Sequence, residues 1–480
     1  MKLFNFLPKE NDYFGENKEI TNLSCDSRKV KENGLFFCLN GTNYNGETYA
    51  NEAIKNGAVA IVSENKLNLD KNITQIIVPS ARSAMSEMAS HYYGDPGLDM
   101  LKIAVTGTNG KTTTTYLLNE VLTKAGYKVG VIGTNGTFCG KTKINSQLTT
   151  PDPIELFAVI KQLKDLGCDC LCYEASAHAI ALNKLDGLES DISLLTNISQ
   201  DHLDYFKTMF NYASAKAKLF NKKLSKTAII NTKTPLAKLI YDETKIPKIS
   251  IGESDDNDLV LKNVNHYPNH QEFMVDFKDE VKFYKLNMVG KFNAENALGV
   301  IAVAEVLGID RNLVYNALKT ISPVPGRFNF YEKNGVKVIV DFAHTPEAMA
   351  NALTACREIV LDGGKLFCVF GCGGNRDAGK RPLMGKTAAK FSDHTIITSD
   401  NPRYESPKKI IDNIICGLGE YTNYSVEEDR AKAITKALEM AKPGDVVAVL
   451  GKGCENYIDQ NGIKTPYSDQ EVILGLENQR

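Results

Sequence analysis

The sequence predicts an α/β protein of three domains, with parallel sheets in the middle and C-terminal domains and a smaller α/β domain at the N-terminus. Three observations carry that expectation. Short apolar runs alternate with amphipathic stretches along almost the whole chain. Turn-forming breaks stand at Tyr93-Gly94-Asp95-Pro96-Gly97 and Pro323-Val324-Pro325-Gly326-Arg327, so the expected domains are 1–97, 98–324 and 325–480. The 480 residues suffice for about three domains of ordinary size.

With 43% apolar and 24% charged residues, the composition is that of a soluble globular protein. A formal charge of −2 gives no electrostatic reason to expect nucleic acid as a partner. No apolar run approaches the ~20 residues that span a bilayer, so no membrane insertion is expected. Met1 to Leu7 is too short for a signal peptide and runs into Lys9, Glu10 and Asp12, which leads to a cytoplasmic expectation. The eleven cysteines are then reduced thiols. Cys168, Cys170 and Cys172 alternate along an expected strand, so they should face one side of a sheet as buried small residues. Zinc ligands would want a turn between them.

In the N-terminal domain, Leu35–Leu39, Ala58–Val62 and Ile76–Pro79 read as strands. Asp26-Ser27-Arg28 and the loop from Gly41 to Gly46 flank the first of these as polar surface turns suited to hydrogen-bonding a ligand.

The middle domain opens on Gly107-Thr108-Asn109-Gly110-Lys111-Thr112-Thr113. The apolar run Ile103–Val105 feeds this loop like a buried strand. A segment with Leu117, Leu118, Val121, Leu122 and Ala125 on one helical face leaves it. Strand, glycine turn, lysine, hydroxyl residue and helix make a phosphate-binding P-loop, shortened because Val105 stands where the strict pattern has a glycine. The glycines let N–H groups curl around phosphate oxygens, and Lys111 adds a point charge. Thr112 can hold magnesium, and the helix N-terminus adds partial positive charge.

Strand Val129–Thr134 leads to a loop with Gln147, Thr149, Thr150 and Asp152. Strand Asp169–Tyr173 ends at Glu174-Ala175-Ser176-Ala177-His178, and Ile192–Thr196 ends at Asn197 to Asp204. Ligands bind beyond the carboxyl ends of parallel strands. Glu174 and His202 share that edge with the phosphate loop, and this placement makes them metal-ligand candidates. Tyr212–Phe220 reads as a helix whose Lys216 and Lys218 are, by pattern alone, solvated. Residues 257–288 read as a small antiparallel insertion around the turn-rich His266–His270. The helix starting in Gly290–Asn296 should bury Leu298, Ile301, Ala302 and Val306. Asn183-Lys184-Leu185-Asp186 spells a guanine-reading string, but no strand precedes it and the match is read as chance.

The C-terminal domain reads as Rossmann-like. Strands Val336–Val340, Leu366–Phe370, Thr395–Thr398 and Val446–Leu450 deliver polar or glycine-rich loops to one edge, which implies a second site. It is not a dinucleotide fingerprint, because Arg376 stands where the last glycine belongs.

Taken together, Gly107 to Thr112, Glu174 to His178, Asn197 to Asp204, Gly290 to Asn296, Pro325-Gly326-Arg327, Asp341 to Pro346 and Gly371 to Arg376 resemble the Mur ligases. These are the ATP-dependent amide-bond ligases of peptidoglycan precursor synthesis. Matching segments run in order from about residue 24 to 472. Gly371–Met384 and Gly451-Lys452-Gly453 before Glu455 look like the branch that adds the third amino acid. Asp400-Asn401-Pro402-Arg403 is similar to the form that adds meso-diaminopimelate rather than lysine.

The resemblance implies an ATP- and Mg2+-dependent ligase joining meso-diaminopimelate to the D-glutamate carboxylate of UDP-MurNAc-L-Ala-D-Glu through an acyl phosphate. A lysine-adding ligase or a folylpolyglutamate-synthetase-like ligase stands as the alternative. It implies that Lys111 and Thr112 hold phosphate and magnesium, and that Glu174 and His202 are magnesium ligands. Lys216 would be carboxylated by CO2 to a metal-binding carbamate. Gly107, Thr108, Asn109, Gly110, Thr113, Asn293, Asn296, Arg327 and Asp341 would surround ATP. Ser27, Thr149, Thr150, Ser176 and Lys184 would contact the UDP-sugar peptide. Arg376, Asp400, Asn401, Pro402, Arg403, Gly451 and Glu455 would form the amino-acid pocket. Partners are these small molecules alone, with a monomer expected. Cys454, Lys184, Ala177 and Leu182 depart from the usual residues at their positions, which touches individual substrate contacts and not the reaction.

Overall fold

The computed structural model describes residues 1–475 apart from 42, 43, 147 and 268. Gln147 and the middle of the Gly41–Gly46 loop therefore lie outside the described residues.

Each expected run of apolar residues forms a strand, within about two residues of the expected ends. A five-stranded sheet comes first, in the order Asp12–Phe14, Thr74–Ile77, Ala58–Ser63, Gly34–Phe37, Asn22–Ser24, all parallel except the first pair. A six-stranded sheet comes last. Its parallel strands Val336–Asp341, Val446–Leu450, Leu366–Phe370, His394–Ile397 and Tyr424–Val426 are edged by antiparallel Asn329–Lys333.

Between them lies an eleven-stranded sheet with Leu101–Thr106 between Cys170–Glu174 and Ser190–Leu195. The antiparallel segment of residues 257–288 is not a separate insertion. Leu259–His266 pairs in parallel with Lys248–Gly252 and carries Gln271–Asp276 and Val281–Leu286 outward as the edge of this sheet.

Side chains alternate across the pleat. Ile103, Val105, Cys170 and Cys172 face the helices Lys111–Lys124 and Lys291–Val306, whereas Ala104, Leu171 and Tyr173 face Pro153–Asp165. Cys168 does not join the other two thiols. Its N–H bonds Leu163 O at the end of a helix, its strand begins two residues later, and it packs on the opposite face. Helix Lys291–Val306 buries Leu298, Ile301 and Ala302 as expected, but Val306 is only partly buried. The expected helix over Tyr212–Phe220 spans Met209–Ala217. Among the described residues no helix is long and apolar enough to cross a membrane.

Candidate active site

The phosphate loop begins where Leu101–Thr106 ends. Gly107 (φ 147°) and Gly110 (φ 87°) take backbone conformations that strain other residues, and a Cβ on either would collide with Thr196 or Asn296. The neighbouring strand's end secures the loop. Asn109 N–H donates to Asn197 Oδ1 at 2.9 Å, while Thr196 Oγ1 and Asn197 Nδ2 donate to Asn109 O at 2.6 and 3.0 Å.

Two lysine side chains converge on one carbonyl here. Lys111 Nζ donates to Gly107 O at 2.9 Å and Thr108 O at 3.0 Å, and Lys216 Nζ donates to the same Gly107 O at 2.9 Å. Lys216 is 1% exposed, so the solvated reading fails for it and holds only for Lys218. It faces inward one helical turn beyond buried Tyr212, with Nζ 4.6 Å from that ring. Burial, and then the charge of Lys111, push Lys216 well below the usual lysine range. Burial also lowers Lys111.

Glu174 is the last residue of its strand and 1% exposed. Its Oε1 accepts from Thr112 Oγ1 and Thr134 N–H, both at 2.8 Å, and Oε2 accepts from Thr134 Oγ1 at 3.0 Å. Arg327, from the C-terminal sheet's side, donates to Thr112 Oγ1 at 2.9 Å and lies over the Phe342 ring. His202 sits at φ 56° before the helical turn Leu203–Phe206, edge-on to His178 at 4.8 Å. Burial lowers its pKa to about 3 despite the adjacent Asp201, so the imidazole is neutral and keeps a lone pair. A threonine hydroxyl, a carboxylate and a neutral imidazole can contribute to a divalent-cation site. Among the described residues no group of three His, Cys, Asp or Glu could hold a metal alone, so such an ion would draw further ligands from elsewhere.

One cavity runs from Thr108–Thr113 to Asn296, between Arg327 and Asp341. Asn293 does not line it; its Oδ1 accepts from Asn296 Nδ2 at 3.3 Å and so orients that residue. The Asp341 carboxylate accepts from Phe328 and Ala343 N–H, both at 2.7 Å, and burial raises its pKa.

A second cavity shares Thr108, Lys111, Thr134, Phe342 and His344 with the first. It gathers Thr149, Ser176, His202, Arg376, Asp400, Asn401, Arg403, Gly451 and Glu455. Arg403 is at φ 51°, with Nη1 donating to Gly374 O at 2.8 Å. Burial and then the charge of Arg403 lower Arg376. Neither arginine has an ion-pair partner among the described residues.

Ser27, Gly107, Thr150, Lys184, Pro402 and Lys216 line neither cavity. Ser27 Oγ donates to Glu52 at 2.9 Å, Thr150 Oγ1 to Glu174 O at 2.7 Å, and Lys184 pairs with Asp152 at 2.7 Å. Asp186 of the chance guanine string is tied to Ser83 and Lys223, outside both cavities.

Sequence reasoning missed a buried group on the wall of the second cavity. Asp201 meets Lys380 at 3.1 Å, His202 at 3.4 Å and His344 at 3.6 Å. Burial alone would raise its pKa, but His344, Lys380 and His202 hold it well below the usual carboxylate range. Asp201 and Lys380 lie inside segments singled out above, yet no local pattern pairs residues 179 positions apart.

A phosphate loop opening through a common wall onto a cavity with two unpaired arginines defines a nucleotide-driven group-transfer enzyme. The Mur ligase middle domain matches residues 105–304, the Mur ligase glutamate ligase domain 326–453, and the Mur ligase family catalytic domain 19–99. The chain belongs to the Mur ligase family and is an ATP-dependent ligase. It is 41% identical over 474 residues to the UDP-N-acetylmuramoyl-L-alanyl-D-glutamate–2,6-diaminopimelate ligase of Clostridium botulinum, covering 97% of each. It is 41% identical over 456 residues to the ligase of that name from Aquifex aeolicus, covering 95% and 93%. A solved structure of a ligase of that name superposes with a TM-score of 0.67 at 30% identity, over 96% and 95% of the two chains. The MurF ligase of Thermotoga maritima, at 21% identity and a TM-score of 0.65 over 95% and 96%, shares the fold.

Proposed function

We propose that this ligase joins the amine of meso-diaminopimelate to the D-glutamate carboxylate of UDP-MurNAc-L-Ala-D-Glu, driven by ATP. It would act as a monomer in the cytoplasmic synthesis of peptidoglycan precursors, on which cell shape and division depend. The wall that the two cavities share carries the reading: a phosphoryl group from one side and an amine from the other can reach one carboxylate. The names of relatives at 41% identity agree with it.

A carboxylate is a poor acylating agent. Its oxygen attacks the γ-phosphorus, the bond to the β–γ bridging oxygen breaks, and ADP leaves an acyl phosphate. The neutral amine then attacks the acyl carbon, the tetrahedral intermediate expels phosphate, and the amine proton passes to solvent. The chain's part is positioning and charge neutralisation. Gly107 to Thr113 wrap the phosphates, and Lys111 turns from its own loop carbonyls to their oxygens. Asn296, oriented by Asn293, takes the adenine side, with Arg327 and Asp341 beside the nucleotide.

Thr112, Glu174, His202 and a carboxylated Lys216 would hold magnesium, which when bound neutralises charge on the phosphate oxygens. The depressed basicity of Lys216 supports the modification. Its neutral amine adds to the carbon of CO2 and loses a proton, and a metal-binding anion takes the place of the amine that shares Gly107 O with Lys111.

Residues 1–97 would hold the UDP end through Ser27, helped by Thr149, Thr150, Ser176 and Lys184 of residues 98–324. Residues 325–480 would bind the amino acid through Arg376, Asp400 to Arg403, Gly451 and Glu455. Diaminopimelate differs from lysine by a distal carboxylate that a guanidinium can grip with two parallel hydrogen bonds. At roughly 1.5–3 kcal/mol for each such bond, discrimination of about a hundredfold or more follows.

ATP-dependent phosphate release with the UDP-dipeptide, comparing meso-diaminopimelate, lysine and ornithine, tests the reading. Turnover with diaminopimelate well above the others is expected, and preference for lysine would make this the lysine-adding ligase. Arg403→Ala should raise the KM for diaminopimelate by about a hundredfold and leave that for ATP nearly unchanged. Equal rises in both would remove Arg403 from the pocket.

A further inference from the structure

Beside the amino-acid cavity lies a fully secluded charge, Lys452. It follows strand Val446–Leu450 between Gly451 (φ 112°) and Gly453 (φ 55°), and its side chain is wholly buried. Nζ donates to Asn401 Oδ1 at 2.9 Å, Tyr457 O at 2.9 Å and Glu455 Oε2 at 3.3 Å. An ammonium has three protons, and these three acceptors use them all.

The consequence lies in the partners. Asn401 Oδ1 receives both Lys452 Nζ and the Asp459 N–H, the latter at 3.0 Å, so two donors fix which way the amide faces. Its Nδ2 must then point at Glu455, and donates to Oε2 at 2.8 Å. Glu455 Oε2 is thereby taken twice. Oε1 has no donor among the described residues, and the half-buried side chain lines the cavity beside Arg403.

We propose that Lys452 is a positioning residue for amino-acid selection: by anchoring Asn401 and one oxygen of Glu455, it presents the other oxygen to an ammonium group of the incoming amino acid. This rests on the proposed ligase reading for the identity of that amino acid. It does not make Lys452 a substrate contact, since no donor of its ammonium remains free. The two arginines serve carboxylates, and the oriented Glu455 oxygen supplies the opposite sign. A zwitterionic end thus meets one acceptor and one donor in fixed relation.

Steady-state kinetics on Lys452→Met, Glu455→Gln and the double variant test this in the full-length enzyme. Lys452→Met should raise the KM for diaminopimelate by about tenfold or more, with the KM for ATP and for the UDP-dipeptide within about twofold. Added to Glu455→Gln, it should change the diaminopimelate KM by less than about twofold, because the group it acts through is already gone. A further tenfold rise in the double variant, or parallel rises for all three substrates, would overturn the proposal. If Lys452→Met does not fold, the double variant leaves no unpaired carboxylate and carries the comparison with Glu455→Gln alone.

A crystal structure of either Lys452 variant reads the positioning without turnover. Asn401 and the side chain at 455, glutamate or in the double variant glutamine, abandoning their mutual hydrogen bond supports the proposal, and both staying in place overturns it. Absence of ligation by the wild-type enzyme with every amino acid tried would defeat the ligase reading, while the crystallographic comparison would still decide the role of Lys452.

Discussion

His202 is a neutral imidazole at neutral pH because burial holds its pKa near 3, against 6.5 in the unfolded chain. Between those values the unfolded chain binds a proton that the folded chain does not. Acidification from pH 6.5 toward 3 therefore favours unfolding through this group, and above pH 6.5 the group has no effect. Thermal melts of the wild type and His202→Gln across pH 7 to 4 should show a shallower decline in the variant. Parallel declines would mean that the imidazole is not buried in solution. Lys216 makes the second test at this scale. Lys216→Ala should abolish turnover, and added bicarbonate should not restore it. Labelled bicarbonate should give the wild type a carbamate carbon resonance that the variant lacks. A fully active alanine variant would remove the modification from the mechanism.

Among the elements, the strand–loop–helix unit from Leu101 to Lys124 has the least freedom to change. Gly110 combines a left-handed backbone with direct packing against Asn296. Gly110→Ala should lower stability by about 1–3 kcal/mol and raise the KM for ATP, measured by denaturant unfolding and initial rates. This unit was legible in the sequence because its signals are local: an apolar run, two glycines, a lysine and a 3.6-residue pattern. Strands Leu366–Phe370 and Val446–Leu450 match their apolar runs residue for residue for the same reason. What was not legible depends on distant partners. A lysine in a helical pattern reads as surface, whereas Lys216 is buried with its amine on the carbonyl of Gly107, 109 residues away. Nothing within residues 257–288 says that their strands continue the main sheet, since that follows from pairing with Lys248–Gly252. Cys168 departs from the expected face because alternation does not say at which residue a strand begins.

Across the whole molecule, the middle and C-terminal domains meet through an apolar contact, in which Val289 and Phe292 pack against the C-terminal core, and through polar contacts. Lys380 reaches Asp201 at 3.1 Å, Arg327 reaches Thr112 at 2.9 Å, and Asn135 Nδ2 reaches Pro325 O at 2.8 Å. Lys380→Met would take from the buried Asp201 carboxylate its lysine partner and leave it only His202 and His344, which favours separation of the two halves. Solution scattering should then show a larger radius of gyration. Turnover should fall by about a hundredfold, the usual cost of misplacing reacting groups by an ångström. An unchanged radius and rate would show that this ion pair does not hold the halves together.

The wall between the cavities has an energetic corollary. Thr108, Lys111, Thr134, Phe342 and His344 face both chambers, so a guest in one alters the surroundings of a guest in the other. Equilibrium linkage makes that influence mutual: whatever factor a non-hydrolysable nucleotide applies to the amino acid's dissociation constant, the amino acid must return to the nucleotide. Titration calorimetry run in both orders would put one number on both sides of that partition.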